Sequence, residues 1–203
     1  MPLRALSWPL SPEAVRDAYF FGQGSDRIRV AEFLGQYLRV YGSEEQHLFH
    51  GQDGDSLVGR IELRTPYQMV VRKSWENTVN YSEQQAQIDI APHADVVEIS
   101  VLFFFGDRQP APSDLYLDKD GRVLDHREGF WQKYRFRVTQ GHEIVPRRIV
   151  GTPIYGRRGQ GLSGAEVRLQ FDAGTFLGEQ VRIEVVAPDG QTTAAEFPLD
   201  KLK

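Results

Sequence analysis

The chain has 203 residues, 40% hydrophobic and 26% charged, a balance ordinary for a soluble globular fold. A net charge of −4 argues against whole-molecule attraction to nucleic acid or to an anionic membrane. The absence of cysteine excludes disulfides, thiol catalysis and Cys-ligated zinc together.

No run of about 18 apolar residues is present, so no membrane-spanning helix is expected. Met1 to Trp8 lacks the apolar core of a signal peptide. Neither feature assigns a compartment. A bacterial, periplasmic or extracellular setting is narrowly favoured over the cytoplasm.

Ser11-Pro12-Glu13 is a helix start: a hydroxyl cap, a proline suited to the first turn, and an acid that complements the helix dipole. This helix turns Val15, Ala18 and Tyr19 inward and stops before Gly22-Gln23-Gly24. A second helix starts near Ser25-Asp26. Its stripe of Val30, Phe33, Leu34, Tyr37, Leu38 and Tyr41 runs to a stop at Gly42.

After residue 50 the apolar period changes from 3.6 to 2. Ile61/Leu63, Met69/Val71, Tyr134/Phe136/Val138 and Val167/Leu169/Phe171 each alternate with polar neighbours and predict half-buried strands with a wet face. Ser82-Glu83-Gln84-Gln85 fits the capping box of one short helix among them. Val96-Val97-Glu98-Ile99-Ser100-Val101-Leu102-Phe103-Phe104-Phe105 predicts a strand buried on both faces at the centre of a sheet. Asp118-Lys119-Asp120-Gly121 joins Leu115–Leu117 to a strand at Val123-Leu124, and Pro188-Asp189-Gly190 joins 181–186 to 192–197. Eight to ten strands with this turn density predict a mainly β fold. Residues 56–198 form an antiparallel β-sandwich, immunoglobulin-like or a strongly bent sheet, with the two N-terminal helices of residues 11–42 packed on it in a single domain.

The motifs that carry chemistry are few. His47 and His50, with Asp53 or Asp55 nearby, are an incomplete zinc set: on a strand, residues three apart point to opposite faces. His93, His126 and His142 lie in separate segments. Asp118-x-Asp120-Gly121 departs from a calcium loop, because Arg122 stands where an oxygen ligand belongs. Gly159-x-Gly161-x-x-Gly164 matches a dinucleotide fingerprint, but a strand pattern follows it where a helix is required. No cofactor and no metal is therefore expected.

Two features point to binding. Arg157 and Arg158 sit in a glycine-rich loop and suit bidentate capture of a carboxylate, sulfate or phosphate. Trp131 and Tyr134, beside Phe130 and Phe136, suit stacking on a sugar ring or gripping a peptide. The expected function is a non-enzymatic binding domain that recognises a glycan, peptide or protein partner through Arg157, Arg158, Trp131 and Tyr134. One alternative is a glycoside-type hydrolase drawing on dispersed acids such as Glu62, Asp89, Glu98, Asp125 and Glu128. Of these Glu98 is the strongest, because a carboxylate inside an apolar strand is costly unless paired or protonated. The other alternative is a structural subunit of a larger assembly.

Overall fold

The computed structural model describes residues 9–41, 57–105, 115–117, 119, 123–125, 129–156 and 162–202. Helix α1 spans Pro12–Gln23, and the Ser11 hydroxyl accepts the Ala14 N–H at its start. Helix α2 spans Arg27–Gln36 and is capped by Asp26. Strand β1 (Leu38–Val40) pairs antiparallel with β2 (Leu57–Arg64). Helices α3 (Pro66–Glu76) and α4 (Glu83–Ile90) follow, then β3 (Val96–Phe104). The remaining strands are β4 (Leu115–Leu117), β5 (Val123–Asp125), β6 (Arg135–Thr139), β7 (Glu143–Ile144), β8 (Arg148–Tyr155), β9 (Leu162–Asp172), β10 (Gln180–Val186) and β11 (Thr192–Pro198).

The protein is mainly β, with two antiparallel sheets. One has the strand order β1-β2-β3-β9-β8 and the other β11-β10-β6-β7; β4 and β5 form a separate ribbon. The long apolar run is the central strand of the five-stranded sheet. Val97, Ile99, Val101 and Phe103 meet Ile61, Leu63, Val167, Leu169 and Phe171 from the flanking strands. Facing them from the second sheet are Val138, Val181, Ile183, Val185, Ala195 and Phe197. The two sheets thus bury one common core. At the β1–β11 edge Arg39 stacks over Phe197 at 4.6 Å and the Tyr41 hydroxyl donates to Ala194 O at 2.7 Å, closing that side of the sandwich.

The turn at Pro188-Asp189-Gly190 forms as expected. Gly190 takes φ +90, its N–H donates to Ala187 O, and Asp189 Oδ1 accepts the Gln191 N–H. The Ser82 cap of α4 also forms, accepting from Gln85 N–H at 3.2 Å. β4 and β5 pair as the Asp118–Gly121 turn requires, although Asp118, Asp120 and Gly121 lie outside the described residues.

Three sequence expectations are corrected. The apolar stripe of α2 does not continue as a helix to Tyr41. The helix ends at Gln36, Tyr37 forms a turn at φ −88, ψ 3, and Leu38–Val40 become strand β1. Both periods place apolar groups at 37 and 41, and the ladder to β2 supplies hydrogen bonds that a further helical turn would otherwise make. Residues 68–72 are helix, not strand. Thr65 caps Gln68 N–H, Pro66 takes the first turn, and Tyr67, Val70, Val71 and Ser74 form the buried face at helical spacing. The alternate face of β2 is not wet: Glu62 is 0% exposed.

The helices form a second small core of Val15, Ala18, Val30, Leu34, Tyr67, Val70, Val71, Ala86 and Ile90. α1 crosses α3 closely at Gly22. A Cβ there would lie 2.4 Å from Val71 O and 2.8 Å from Ser74 Cβ. Backbone cannot give way cheaply, so Gly22→Ala is expected to lose about 2 kcal/mol. Urea unfolding checks this: the midpoint should fall at unchanged slope. An unchanged midpoint would mean that the crossing is looser than described.

Candidate functional site

The sites expected from the sequence are placed as follows. Arg157 and Arg158 lie outside the described residues, as do His47, His50, Asp53, Asp55, His126 and Glu128. Trp131 and Tyr134 are half-buried and packed against the sandwich core. Tyr134 meets the Phe103 ring at 4.8 Å. The Trp131 indole lies on Gly151 of β8, 2.0 Å from where a Cβ would stand. Both rings therefore have a face engaged by the fold. Gly164, the last glycine of the fingerprint, lies within β9, so the dinucleotide helix has no counterpart there. Among the described residues no group of three or more His, Asp or Glu is placed to hold a metal ion. None of their helices is long and apolar enough to cross a membrane.

Charged groups concentrate instead on the outer face of the five-stranded sheet, beneath α3. Arg64, at the end of β2, reaches three carboxylates. Its Nε donates to Glu62 Oε2 at 3.1 Å, Nη1 to Glu98 Oε1 at 3.0 Å, and Nη2 to Glu166 Oε1 at 2.8 Å. Register explains the convergence. Arg64 is opposite Glu98, and Glu62 is opposite Ser100, on the side of β3 away from the core. β9 adds Glu166 and Gln170 on that face. α3 closes the cluster from above: Gln68 Nε2 donates to Glu62 Oε1 at 3.0 Å, and Arg72 pairs with the same oxygen. The Ser100 hydroxyl donates to Glu166 Oε1 at 2.7 Å, and Gln170 Nε2 to Glu98 Oε2 at 3.3 Å. Burial pushes the Glu166 carboxyl up. The Ser100 hydroxyl and the Arg64 and Arg168 guanidinium groups outweigh burial and hold it below its ordinary value. Burial also opposes the charge on Arg64, but its three carboxylates prevail and raise its pKa.

Tyr67, the residue before Gln68, points the other way. It lines an open pocket of about 360 Å³ with Asp17, Phe21, Arg29, Glu32, Phe33, Gln36 and Lys201. The floor is aromatic: Phe21 and Phe33 meet edge-on at 5.2 Å, and Phe33 and Tyr67 at 5.9 Å. The Tyr67 hydroxyl donates to Asp17 Oδ2 at 2.6 Å. Burial, followed by that bond to a carboxylate, raises the Tyr67 pKa far above the ordinary phenol value and keeps it a donor. Arg29 lies over the Phe21 ring at 5.7 Å. The side chains of Arg29, Glu32 and Lys201 form no ion pair or hydrogen bond among the described residues. They are solvent-exposed around an apolar base.

The pocket was not legible in the sequence. Its residues come from α1, α2, α3 and the last turn, Leu199–Lys201, and no motif links them. A signal existed for Phe33, on the apolar stripe of α2, but it marked packing alone. No protein-family model matches this chain, and no characterised protein is similar to it in sequence.

Proposed function

We propose that this protein is a binding domain. In this reading the pocket among α1, α2 and α3 receives an apolar side chain of a peptide or protein partner, with flanking charges on the rim. The observation that carries the proposal is the contrast between the two polar regions. The sheet carboxylates are committed to Arg64, and Glu166 is held ionised, which ill suits a general acid. The pocket rim keeps Arg29, Glu32 and Lys201 uncommitted over an aromatic floor. A volume near 360 Å³ suits one side chain, and a few polar groups around an apolar base are what a recognition pocket requires. Rim charges of both signs match a peptide, which brings charges of both signs itself, better than a neutral sugar.

The test is an array of immobilised peptides, each with one central Leu, Met or Phe flanked by acidic or basic residues, probed with the whole protein. Selective capture is expected, weakened about tenfold or more when Arg29→Glu and Lys201→Glu are combined. These positions are exposed, so circular dichroism should be unaltered. Capture that survives the double reversal, or no capture of any sequence, would sink the reading.

A further inference from the structure

Separately from the pocket, we infer that the outer face of the five-stranded sheet carries an oxyanion site formed by Arg60 and Arg168, for a ligand bearing a carboxylate or phosphate group. Arg60 on β2 and Arg168 on β9 both project to the face that carries Glu62, Ser100 and Glu166. Register places Arg60 opposite Leu102 and Arg168 opposite Ser100 on the shared neighbour β3. The two arginines are therefore two strand spacings apart across the sheet and two residues apart along it, about 12 Å in all, with Ser100 and Leu102 of β3 between them.

Each of these guanidinium groups has a buried Nε with no hydrogen-bond partner among the described residues. A third such nitrogen, the Nε of Arg72, belongs to the residue that bridges α3 to Glu62 on the same face. Buried donors without acceptors are rare, because each loses its water and gains nothing in return. Three arginine Nε atoms in this state on one face are a common feature with a common remedy: an acceptor with several lone pairs, which a carboxylate or phosphate supplies.

The charge balance points the same way. Glu62, Glu98 and Glu166 are offset by Arg64, Arg72 and Arg168, while Asp172 is taken by Arg147 at 2.9 Å. Arg60 is then a surplus cation, held beside the cluster with no acid of its own among the described residues. An oxyanion bridging Arg60 and Arg168 neutralises that surplus. Ser100 meanwhile donates to Glu166 and, with Arg64, keeps that carboxylate turned into the cluster and not toward the bound anion.

The test is the thermal midpoint of the whole protein titrated with inorganic phosphate and, separately, with succinate. Ionic strength is held constant with chloride. At a hundredfold excess over Kd the wild type should rise by about 5 °C or more with at least one of the two. Phosphate alone, succinate alone or both then names the ligand's group. Arg60→Gln, at a side chain that ties down no other group among the described residues, should remain folded and lose the shift. Arg168→Gln should weaken it as well. Equal responses in wild type and Arg60→Gln, or no wild-type response to either anion, would overturn the assignment.

Discussion

Arg64→Met is expected to destabilise the protein by about 3–5 kcal/mol, because it leaves three carboxylates facing one another with their common cation removed. Arg64 has only 18% of its side chain exposed, and Glu62 is fully buried, so solvent cannot replace the lost charge. In a chain of this length the midpoint should fall by about 6–20 °C. Methionine keeps the stem packing, so the loss reports charge and not volume.

The effect carries a pH signature whose sign follows from Glu166. Its folded pKa lies below the ordinary 4.5, so its contribution is fully present above that value and is lost as pH falls through the lower, folded one. The wild type should therefore weaken on acidification below about 4.5. The deficit of Arg64→Met should shrink over the same range, since protonation of Glu166 removes one of the charges that the substitution left unpaired. Urea denaturation at pH 7 and pH 4 measures both. A deficit below 1 kcal/mol at pH 7, or one that grows at pH 4, would mean that the cluster is not held by Arg64.

Phe103→Ala is expected to cost a similar amount, about 3–5 kcal/mol, for a different reason. Phe103 is fully buried on β3 at the meeting of the two sheets, with Phe130 at 5.6 Å, Tyr134 at 4.8 Å and Phe136 at 6.3 Å, all edge-on. Truncation removes the ring from the centre of this group and leaves a cavity that strands on both sides cannot close without breaking register. Trp131 meets Phe130 at 5.6 Å, so its fluorescence should report the loosening. Phe103→Leu, which fills most of the space, should recover more than half of the loss. Loss by Phe103→Ala of under 1 kcal/mol would show that the aromatic group packs independently of the sheet.

Much of the fold was legible because the information is local. Capping at Ser11 and Ser82 depends on a hydroxyl and an N–H three residues apart, and both form as read. The turn at Gly190 needs only one residue that tolerates positive φ. A run with no polar period marks a strand covered on both sides, and β3 is the middle strand of five. Where local signals were ambiguous, the reading failed. Residues 68–72 alternate as a strand would, yet Thr65-Pro66 starts a helix, and the docking of Tyr67, Val70 and Val71 against α1 and α2 selects that option. The last turn expected of α2 became β1 because β2 offered a ladder that no residue within 37–41 announces.

Glu98 shows the same division within a site. Its place in an apolar strand implied a partner, and Arg64 is that partner. That one guanidinium also serves Glu62 and Glu166, whose strands lie on either side of β3, follows from sheet register. The residues of the pocket come from four separate stretches of the chain, from Asp17 through Phe33 and Tyr67 to Lys201. Caps, turns and periods are contests among neighbours in the chain, and composition decides them. Ion clusters and pockets are contests among segments brought together by burying an apolar core, and only the completed packing decides which side chains meet.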